Sequence, residues 1–141
     1  MLILPVLAAV AAMAAQPPEP SWRDEIQPME WTLLSRREQI VALGRPATPA
    51  VVGEFRRYWQ RIEYKQADPK TGITSTVTLA EFDCAQGRSR VLQSQTFKRR
   101  NLMEQNTAFT RVGQWEHPIP GTLGETYLQV ACAAGSKPAE G

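Results

Sequence analysis

The sequence predicts an α+β fold, in which a single antiparallel β-sheet of about five to six strands forms a meander and one C-terminal helix packs on it. Three observations support this prediction. Short runs of aromatic and β-branched residues alternate with turn residues in the middle of the chain. One helical pattern follows near the C-terminus. A cysteine stands in each of these two parts, Cys84 and Cys132, which predicts a disulfide between helix and sheet.

The central strand is predicted over residues 54–66, where large apolar side chains alternate singly with charged ones. Tyr58 and Ile62 share one parity, so a strand places them on one face. Phe55 and Trp59 share the other parity with several basic residues, which predicts a basic face anchored by two rings. Some of the basic residues also fall near helical spacing, so a helix is the alternative. The β-branched and aromatic content and the Pro and Gly turn directly afterwards favour the strand.

Two more strands are predicted after that turn. Residues 73–84 are rich in β-branched side chains, residues 85–87 form a turn, and residues 88–97 carry the chain back. Three consecutive strands joined by short turns form an antiparallel meander. Over residues 98–114 charged and amide side chains replace the pattern, which predicts a mobile loop.

An earlier hairpin is predicted from residues 29–35 and 39–44. Pro46 and Pro49 lack the amide donor that a strand ladder needs, so we expect regular pairing to be impossible there. A short helical turn is predicted to begin at Ser21, because its side chain can cap the following amides and two acids stand in the first turn.

The C-terminal helix is predicted to begin with a capping box formed by Thr122 and Glu125 and to end at Gly135. Its apolar side consists of residues at spacings of three and four: Leu123, Tyr127, Val130 and Ala131.

Cys84 and Cys132 are the two cysteines of the chain. No C-x-x-C motif is present and the chain has a single histidine, so neither a dithiol redox motif nor a zinc site of Cys and His ligands can be completed. A disulfide across their separation of 48 positions stabilises the fold by about 4 kcal/mol in the chain-entropy model. No metal site and no cofactor are predicted.

Residues 1–15 carry no charge, end in small side chains with an A-x-A site, and are shorter than the roughly 20 apolar residues that span a bilayer. They predict a signal peptide and export, with a buried N-terminal helix as the alternative. Residues 16–29 are predicted to form a Pro-rich linker, residues 30–135 the folded domain and residues 136–141 a disordered tail. No transmembrane span is predicted.

The charge is nearly balanced, with 16 Lys and Arg against 14 Asp and Glu among 141 residues. The basic residues nevertheless cluster in two segments, 56–65 and 88–100. One interpretation is the solvated face of an exposed sheet, and the other is a surface for an acidic or polyanionic partner. Arg57, Arg61 and Lys65 share a parity on the predicted strand, and this stripe is the predicted partner-binding site.

An ordered set of short motifs spans nearly the whole predicted domain. The set comprises Trp31, the W-x-x-I-x-Y motif from Trp59 to Tyr64, the E-F-D-C motif at 81–84, the R-x-R-x-L motif at 88–92, and Trp115 followed by Pro120, Gly121, Gly124 and Cys132. In this order the motifs resemble the surface-adhesin protein E family of Gram-negative bacteria.

The resemblance implies an exported antiparallel sheet with a C-terminal helix tied to it by one disulfide, and a tendency to form a homodimer. The founding member of that family is an adhesin that binds host vitronectin, laminin and plasminogen. The predicted function is therefore that of a non-enzymatic envelope protein, periplasmic or at the cell surface, which binds extracellular matrix or polyanionic partners. A structural or accessory periplasmic domain without an adhesive role is the alternative.

No catalytic residue and no nucleic-acid motif is predicted. His117 is the single histidine, and nothing in the sequence places a nucleophile and an orienting acid beside it. Trp31, Trp59 and Trp115 are predicted to pack in the core, because each can bury about 150–250 Å².

Two acids near the end of the second meander strand, Glu81 and Asp83, share a parity. They are predicted to pair with the nearby Arg88 or Arg90 across the turn.

Overall fold

The computed structural model describes residues 21–133. The predicted signal peptide, the predicted tail and the predicted helix stop at Gly135 lie outside the described residues. A 3-10 helix, Trp22–Glu25, precedes six strands and one α-helix. These elements are β1 (Thr32–Arg36), β2 (Ile40–Val52), β3 (Phe55–Tyr64), β4 (Ser75–Asp83), β5 (Arg88–Arg99), β6 (Met103–Thr110) and α1 (Leu123–Ala133).

The six strands form one antiparallel sheet in chain order, from β1 to β6. Each strand therefore pairs with its neighbour in sequence, so short reversals suffice to build the whole sheet. The predicted meander, the strand over residues 54–66 and the α+β class are confirmed.

The two faces of the sheet follow from the registers around β3. Tyr58 lies opposite Ala80 of β4, and Arg57 lies opposite Glu81. Directly opposed residues share a face, and successive residues point to opposite faces. We call the side covered by α1, which contains Tyr58, the helix face. The other side, which contains Arg57, is called the far face.

The core lies between the helix face and α1. Its buried members are Ala42, Tyr58, Ala80, Phe82, Tyr127 and Ala131. The Tyr127 hydroxyl donates to the carbonyl oxygens of Leu43 (2.9 Å) and Arg61 (3.2 Å), so this buried phenol is satisfied by the backbone of two strands. Burial raises the pKa of Tyr127, which keeps the hydroxyl protonated as a donor.

A glycine lets β2 pass close to the ring of Tyr58. A Cβ placed on Gly44 would lie 2.3 Å from the Tyr58 ring and hydroxyl oxygen. No side chain fits at this position without displacing a core aromatic residue. Gly44 therefore allows the Tyr58 side chain to lie close to the backbone of β2.

Helix α1 is fixed to the sheet at its C-terminal end. The predicted disulfide is confirmed: Cys84 directly follows β4, and its Cα lies 5.6 Å from that of Cys132 in α1. Arg56 of β3 donates from Nη1 to the carbonyl oxygens of Ala131 (2.9 Å) and Cys132 (3.2 Å). A cation at the C-terminal end of a helix is favourable because the carbonyl groups there carry partial negative charge.

The predicted capping box of α1 is replaced by other bonds. The Thr122 hydroxyl donates to the Ile119 carbonyl oxygen (2.6 Å). The Glu125 carboxylate accepts instead from the Gln129 amide, one turn along the helix (3.4 Å). The sequence pattern placed the helix start correctly but assigned these two side chains to the wrong partners.

Strand β2 continues beyond the point where the sequence predicted its end. Pairing with β3 is interrupted between Arg45 and Ala50, where the Arg45–Pro46 peptide bond is cis, and it then resumes. The expectation of irregular pairing at the two prolines is confirmed, whereas the prediction that the strand ends at residue 44 is wrong. The irregular segment takes the proline nitrogens out of the ladder, so the strand continues through them.

The predicted mobile loop over residues 98–114 is wrong for most of its length. Strand β5 extends to Arg99, a turn with positive φ at Asn101 and Leu102 follows, and β6 occupies Met103–Thr110. Strand β6 is exposed along its whole length on both faces. A strand that buries neither face needs no apolar alternation, so its sequence lacks the pattern by which strands are identified.

The N-terminal segment, residues 21–31, lies against the far face. Its 3-10 helix begins with the predicted cap. The Ser21 hydroxyl accepts from the Arg23 amide, and the Asp24 carboxylate accepts from the Ser21 amide. The Arg23 guanidinium donates to the Arg37 carbonyl oxygen at the end of β1. Most of the segment falls in the stretch that the sequence assigned to a linker.

Candidate binding site

A buried carboxylate on the far face holds two arginines in place. Glu81 of β4 is opposed by Arg57 of β3 on one side and by Arg90 of β5 on the other. Arg57 donates from Nε to Oε2 of Glu81 (3.0 Å), and Arg90 donates from Nε (2.9 Å) and Nη2 (2.6 Å) to Oε1. Only 3% of the Glu81 side chain is exposed. The carboxylate is therefore enclosed while the two guanidinium groups extend past it.

The pKa of Glu81 shows which effect dominates in this arrangement. Burial by itself raises the pKa, because it disfavours the charged form. The hydrogen bonds and charges of Arg90 and Arg57 outweigh burial and lower the pKa of Glu81 below its ordinary value. The carboxylate stays ionised, so it keeps both guanidinium groups in position.

A third arginine, Arg88 at the start of β5, lies next to this pair. Arg88 donates from Nε to Oδ2 of Asp83 (2.9 Å). The guanidinium carbons of Arg88 and Arg90 lie 4.7 and 4.3 Å from the centroid of the Trp115 ring, within cation–π range. We call Arg57, Arg88 and Arg90 the arginine cluster. The predicted pairing of Glu81 and Asp83 with Arg88 and Arg90 is confirmed.

Trp115 is held in place by the backbone of the residue that follows it and by a neighbouring ring. Glu116 exchanges two backbone hydrogen bonds with Ser89 at the start of β5 (2.9 and 2.8 Å). The Trp115 ring also packs at 5.0 Å from the ring of Phe55, with the planes tilted by 55°. The Trp115 ring thus contacts Phe55 of β3 and the two cluster arginines of β5.

A groove of about 320 Å³ adjoins the cluster on the far face. We call it the tryptophan groove, and it is lined by Trp31, Arg45, Trp59, Val77, Gln95, Phe97 and Leu102. Val77 and Phe97 are buried and form an apolar floor. Gln95 is exposed and supplies an amide. Trp31 and Trp59 are half-buried, so both rings reach solvent.

Arg45 is the cation of the tryptophan groove. Its guanidinium carbon lies 5.4 Å from the centroid of the Trp31 ring. Arg45 Nη1 also meets Glu30 Oε2 at 3.4 Å, and the two side chains are 44% and 82% exposed. An ion pair this exposed contributes about 0–1 kcal/mol, so it holds Arg45 weakly.

A buried ion pair lies deeper on the same face. Arg61 donates from Nη2 to Glu63 Oε1 (3.2 Å), and at most 1% of either side chain is exposed. Arg61 also donates to the Gln27 carbonyl oxygen (2.9 Å) and to Oδ1 of Asn101 (3.0 Å). The backbone amide of Asn101 in turn donates to Glu63. Burial raises the pKa of Glu63, and the Asn101 amide and the Arg61 charge offset part of that rise.

The model of the family described as Surface-adhesin protein E matches residues 31–133. The chain belongs to the surface-adhesin protein E family. Comparison with curated proteins and with solved structures gave no match. The resemblance carried by the ordered motifs is thereby confirmed, and the family indicates a surface adhesin-like protein.

In this surface-adhesin protein E family member, the predicted stripe of Arg57, Arg61 and Lys65 is split. Arg57 belongs to the arginine cluster, and Lys65 is exposed beyond the end of β3. Arg61 is enclosed by the N-terminal segment and by Asn101, so its guanidinium group bonds within the protein and does not face solvent. Alternation along β3 places Arg57 and Arg61 on the far face, but the other elements decide which of them reaches solvent.

In this family member, the arginine cluster includes two residues that the sequence did not assign to the candidate binding site. Arg88 and Arg90 were predicted as partners of acids, and their role in a shared surface with Arg57 was missed. The signal was present, since Arg57 and Arg90 lie on either side of Glu81 once β3, β4 and β5 are paired. The predicted core role of Trp115, Trp31 and Trp59 is wrong in part, because all three are half-buried rather than enclosed.

The remaining candidates of this surface-adhesin protein E family member are peripheral. His117 is exposed, and its Nδ1 lies 3.2 Å from the Gly87 carbonyl oxygen. Among residues 21–133, no three His, Cys, Asp or Glu side chains come together as a group that could hold a metal ion. Within the same residues, no helix is long and apolar enough to cross a membrane.

Proposed function

We propose that this protein is an exported, non-enzymatic, adhesin-like protein that binds an acidic macromolecular partner through the arginine cluster on the far face of its sheet. The proposal keeps the predicted signal peptide over residues 1–15 as the route of export. It moves the predicted binding site from the stripe of Arg57, Arg61 and Lys65 to Arg57, Arg88 and Arg90.

The observation that carries the proposal is the difference in exposure between the charges of the cluster. The side chains of Arg57, Arg88 and Arg90 are 41%, 34% and 27% exposed. The carboxylates that hold them, Glu81 and Asp83, are 3% and 7% exposed. A partner approaching the far face therefore meets guanidinium groups, while the balancing negative charge lies underneath.

Fixed guanidinium groups suit an acidic partner for two reasons. The planar fork of an arginine can donate two parallel hydrogen bonds to a carboxylate, sulfate or phosphate. Since Glu81, Asp83 and Trp115 already hold these side chains in position, less conformational entropy is lost on binding than for free surface lysines. Binding of this kind weakens as salt screens the charges.

The test compares two variants that remove the same amount of charge. Arg57→Gln with Arg88→Gln removes two members of the cluster and leaves Arg90 to pair with Glu81. Arg99→Gln with Arg111→Gln removes two exposed arginines outside it. We expect the cluster variant to elute from a heparin column at clearly lower salt than the control variant. We also expect the cluster variant to bind immobilised matrix proteins more weakly than the control variant. Thermal unfolding checks that both variants are folded.

Equal elution of the two variants would mean that only net charge matters and would contradict the proposal. Failure of the unmodified mature protein to bind either support would instead favour the alternative, a structural or accessory periplasmic domain.

A further inference from the structure

We infer that the acidic partner is a polysaccharide containing uronic acid, and that one uronic acid ring occupies the tryptophan groove beside the arginine cluster. The inference rests on the proposed function and makes it more specific. It assigns a ligand to residues that are not part of the cluster, and this allows the two to be tested separately.

The groove and the cluster form one continuous track on the far face. Trp59 follows Arg57 by two residues on β3, so their side chains project from the same face about 7 Å apart. On β4, Leu79 lies opposite Trp59 just as Glu81 lies opposite Arg57. A chain of linked sugars can therefore bind the groove and the cluster at the same time.

The lining of the groove suits a sugar ring with a carboxylate. The half-buried Trp59 ring offers a packing surface for the C–H face of a pyranose ring, and Val77 and Phe97 keep water from the floor. The Trp31 ring forms a wall of the groove and holds Arg45 by a cation–π contact. The amide of Gln95 can both donate to and accept from hydroxyl groups. Few polar groups on an apolar surface are typical of small-molecule sites, and the volume falls at the lower end of their range.

Arg45 selects for an acidic sugar over a neutral one. It is the only Arg or Lys side chain among the described residues that line the groove, and no carboxylate is among them. Two larger depressions contain Asp68 or Glu116 in their linings and none of the arginines or lysines that the structure describes. A further depression contains Arg23 and Arg36 and no carboxylate, but its volume of about 40 Å³ is too small for a sugar ring. Of these four depressions, the tryptophan groove is the one that combines a matching charge with room for an anionic ring.

Glu30 occupies the place that a ligand carboxylate would take. It meets Arg45 at 3.4 Å from a strongly exposed position, so the pair is weak and is readily exchanged for a carboxylate that also gains ring stacking. Removing Glu30 should therefore strengthen binding, whereas removing Arg45 should weaken it. Opposite effects from the two members of one ion pair are not expected from a loss of folding.

The experiment measures binding of hyaluronan oligosaccharides, which carry uronic acid but no sulfate, by calorimetry and by tryptophan fluorescence. The comparison probes are the same oligosaccharides with their carboxyl groups reduced, and polyglutamate, which has charge but no sugar ring. We expect the unmodified protein to prefer hyaluronan over both. Arg45→Gln should lower the affinity at least about tenfold, as expected for the loss of one charged hydrogen-bonding group. Glu30→Gln should raise it, and Arg111→Gln should leave it unchanged.

Three results would overturn the inference. One is equal affinity of Arg45→Gln, Glu30→Gln and the unmodified protein. Another is equal binding of polyglutamate or of the reduced oligosaccharides. A third is hyaluronan binding that Arg57→Gln with Arg88→Gln abolishes while the groove variants leave it unchanged. In each case retention on heparin by the arginine cluster would still support the proposed function. Absence of binding to every polyanion would contradict both the proposed function and the inference about the groove.

Discussion

The two faces of the sheet reach a similar depth of burial by different means. On the helix face, aromatic and small apolar side chains such as Tyr58 and Ala80 pack against α1, and a disulfide fixes the helix. On the far face the fully buried side chains include Arg61 and Glu63, which are covered by the N-terminal segment and a turn. Apolar contact builds the first layer, whereas the second combines buried apolar side chains such as Leu43 and Val77 with hydrogen bonds between charged and backbone groups.

Because of this difference, the helix face contributes stability and the far face presents charged groups to solvent. Apolar packing on the helix face is non-directional and tolerates no ligand, because α1 already covers it. On the far face the charges of the arginine cluster have directions fixed by their partners, as for Arg57 and Arg90 on Glu81. A face organised in this way can keep charged groups pointing at solvent in a defined arrangement. The helix face thus holds the sheet together so that the far face can present its arginines.

The largest expected effect comes from releasing the helix face. Replacing both Cys84 and Cys132 with Ser frees α1 from the end of β4, and the chain-entropy model predicts a loss of about 4 kcal/mol in the free energy of unfolding. Urea unfolding of the variant and of the unmodified protein measures this loss. Reductant should lower the stability of the unmodified protein to that of the variant and leave the variant unchanged. Equal stability of the variant and the unmodified protein, or an unmodified protein whose stability does not respond to reductant, would contradict the prediction.

A somewhat smaller effect is expected from breaking the buried pair of the far face. Glu63→Ala leaves the Arg61 guanidinium and the Asn101 amide without their carboxylate, and the loss of one partner of a buried pair costs about 3 kcal/mol. Because Arg61 and Asn101 also hold the backbone of Gln27, amide exchange over residues 21–31 should accelerate as well.

Glu38→Ala is the matched control for this variant, since it removes an exposed carboxylate from the turn between β1 and β2. Surface changes of this type alter stability by about 0.5 kcal/mol or less. Equal stability of the two variants, or unchanged exchange in the N-terminal segment, would show that the far face does not depend on the buried pair.

The same contrast explains which features could be predicted from the sequence. Tyr58 and Ile62 were placed together correctly because an apolar face covered by one helix leaves a simple alternation along β3. The far face has the same alternation, but Arg61 is buried by Gln27 and Asn101, which lie 34 and 40 positions away in the chain. No pattern within one strand can reveal cover that comes from distant segments.

Two other errors have the same origin. Strand β6 was interpreted as a loop because its residues are exposed on both faces and its backbone bonds to β5 leave no mark on the side-chain sequence. The arginine cluster was missed because its members come from β3 and β5, and only the register through Glu81 brings them together. Motif order predicted the family and the two cysteines predicted the disulfide, since both signals are read along the chain rather than from contacts across the sheet.

The smallest expected effect distinguishes the cluster carboxylate from ordinary surface acids. The pKa of Glu81 is lowered in the folded protein from its ordinary value of 4.5, so the ionised form contributes stability that is present above pH 4.5 and is lost as the pH falls through the folded pKa. Glu81→Gln removes this contribution. The free energy of unfolding of the unmodified protein should therefore fall more steeply below pH 4.5 than that of Glu81→Gln, and the two curves should converge in acid. Glu38→Gln should keep the steeper slope. Parallel curves for the unmodified protein and Glu81→Gln would show that the arginines do not hold this carboxylate ionised. The argument that Glu81 fixes the arginine cluster for binding would then fail.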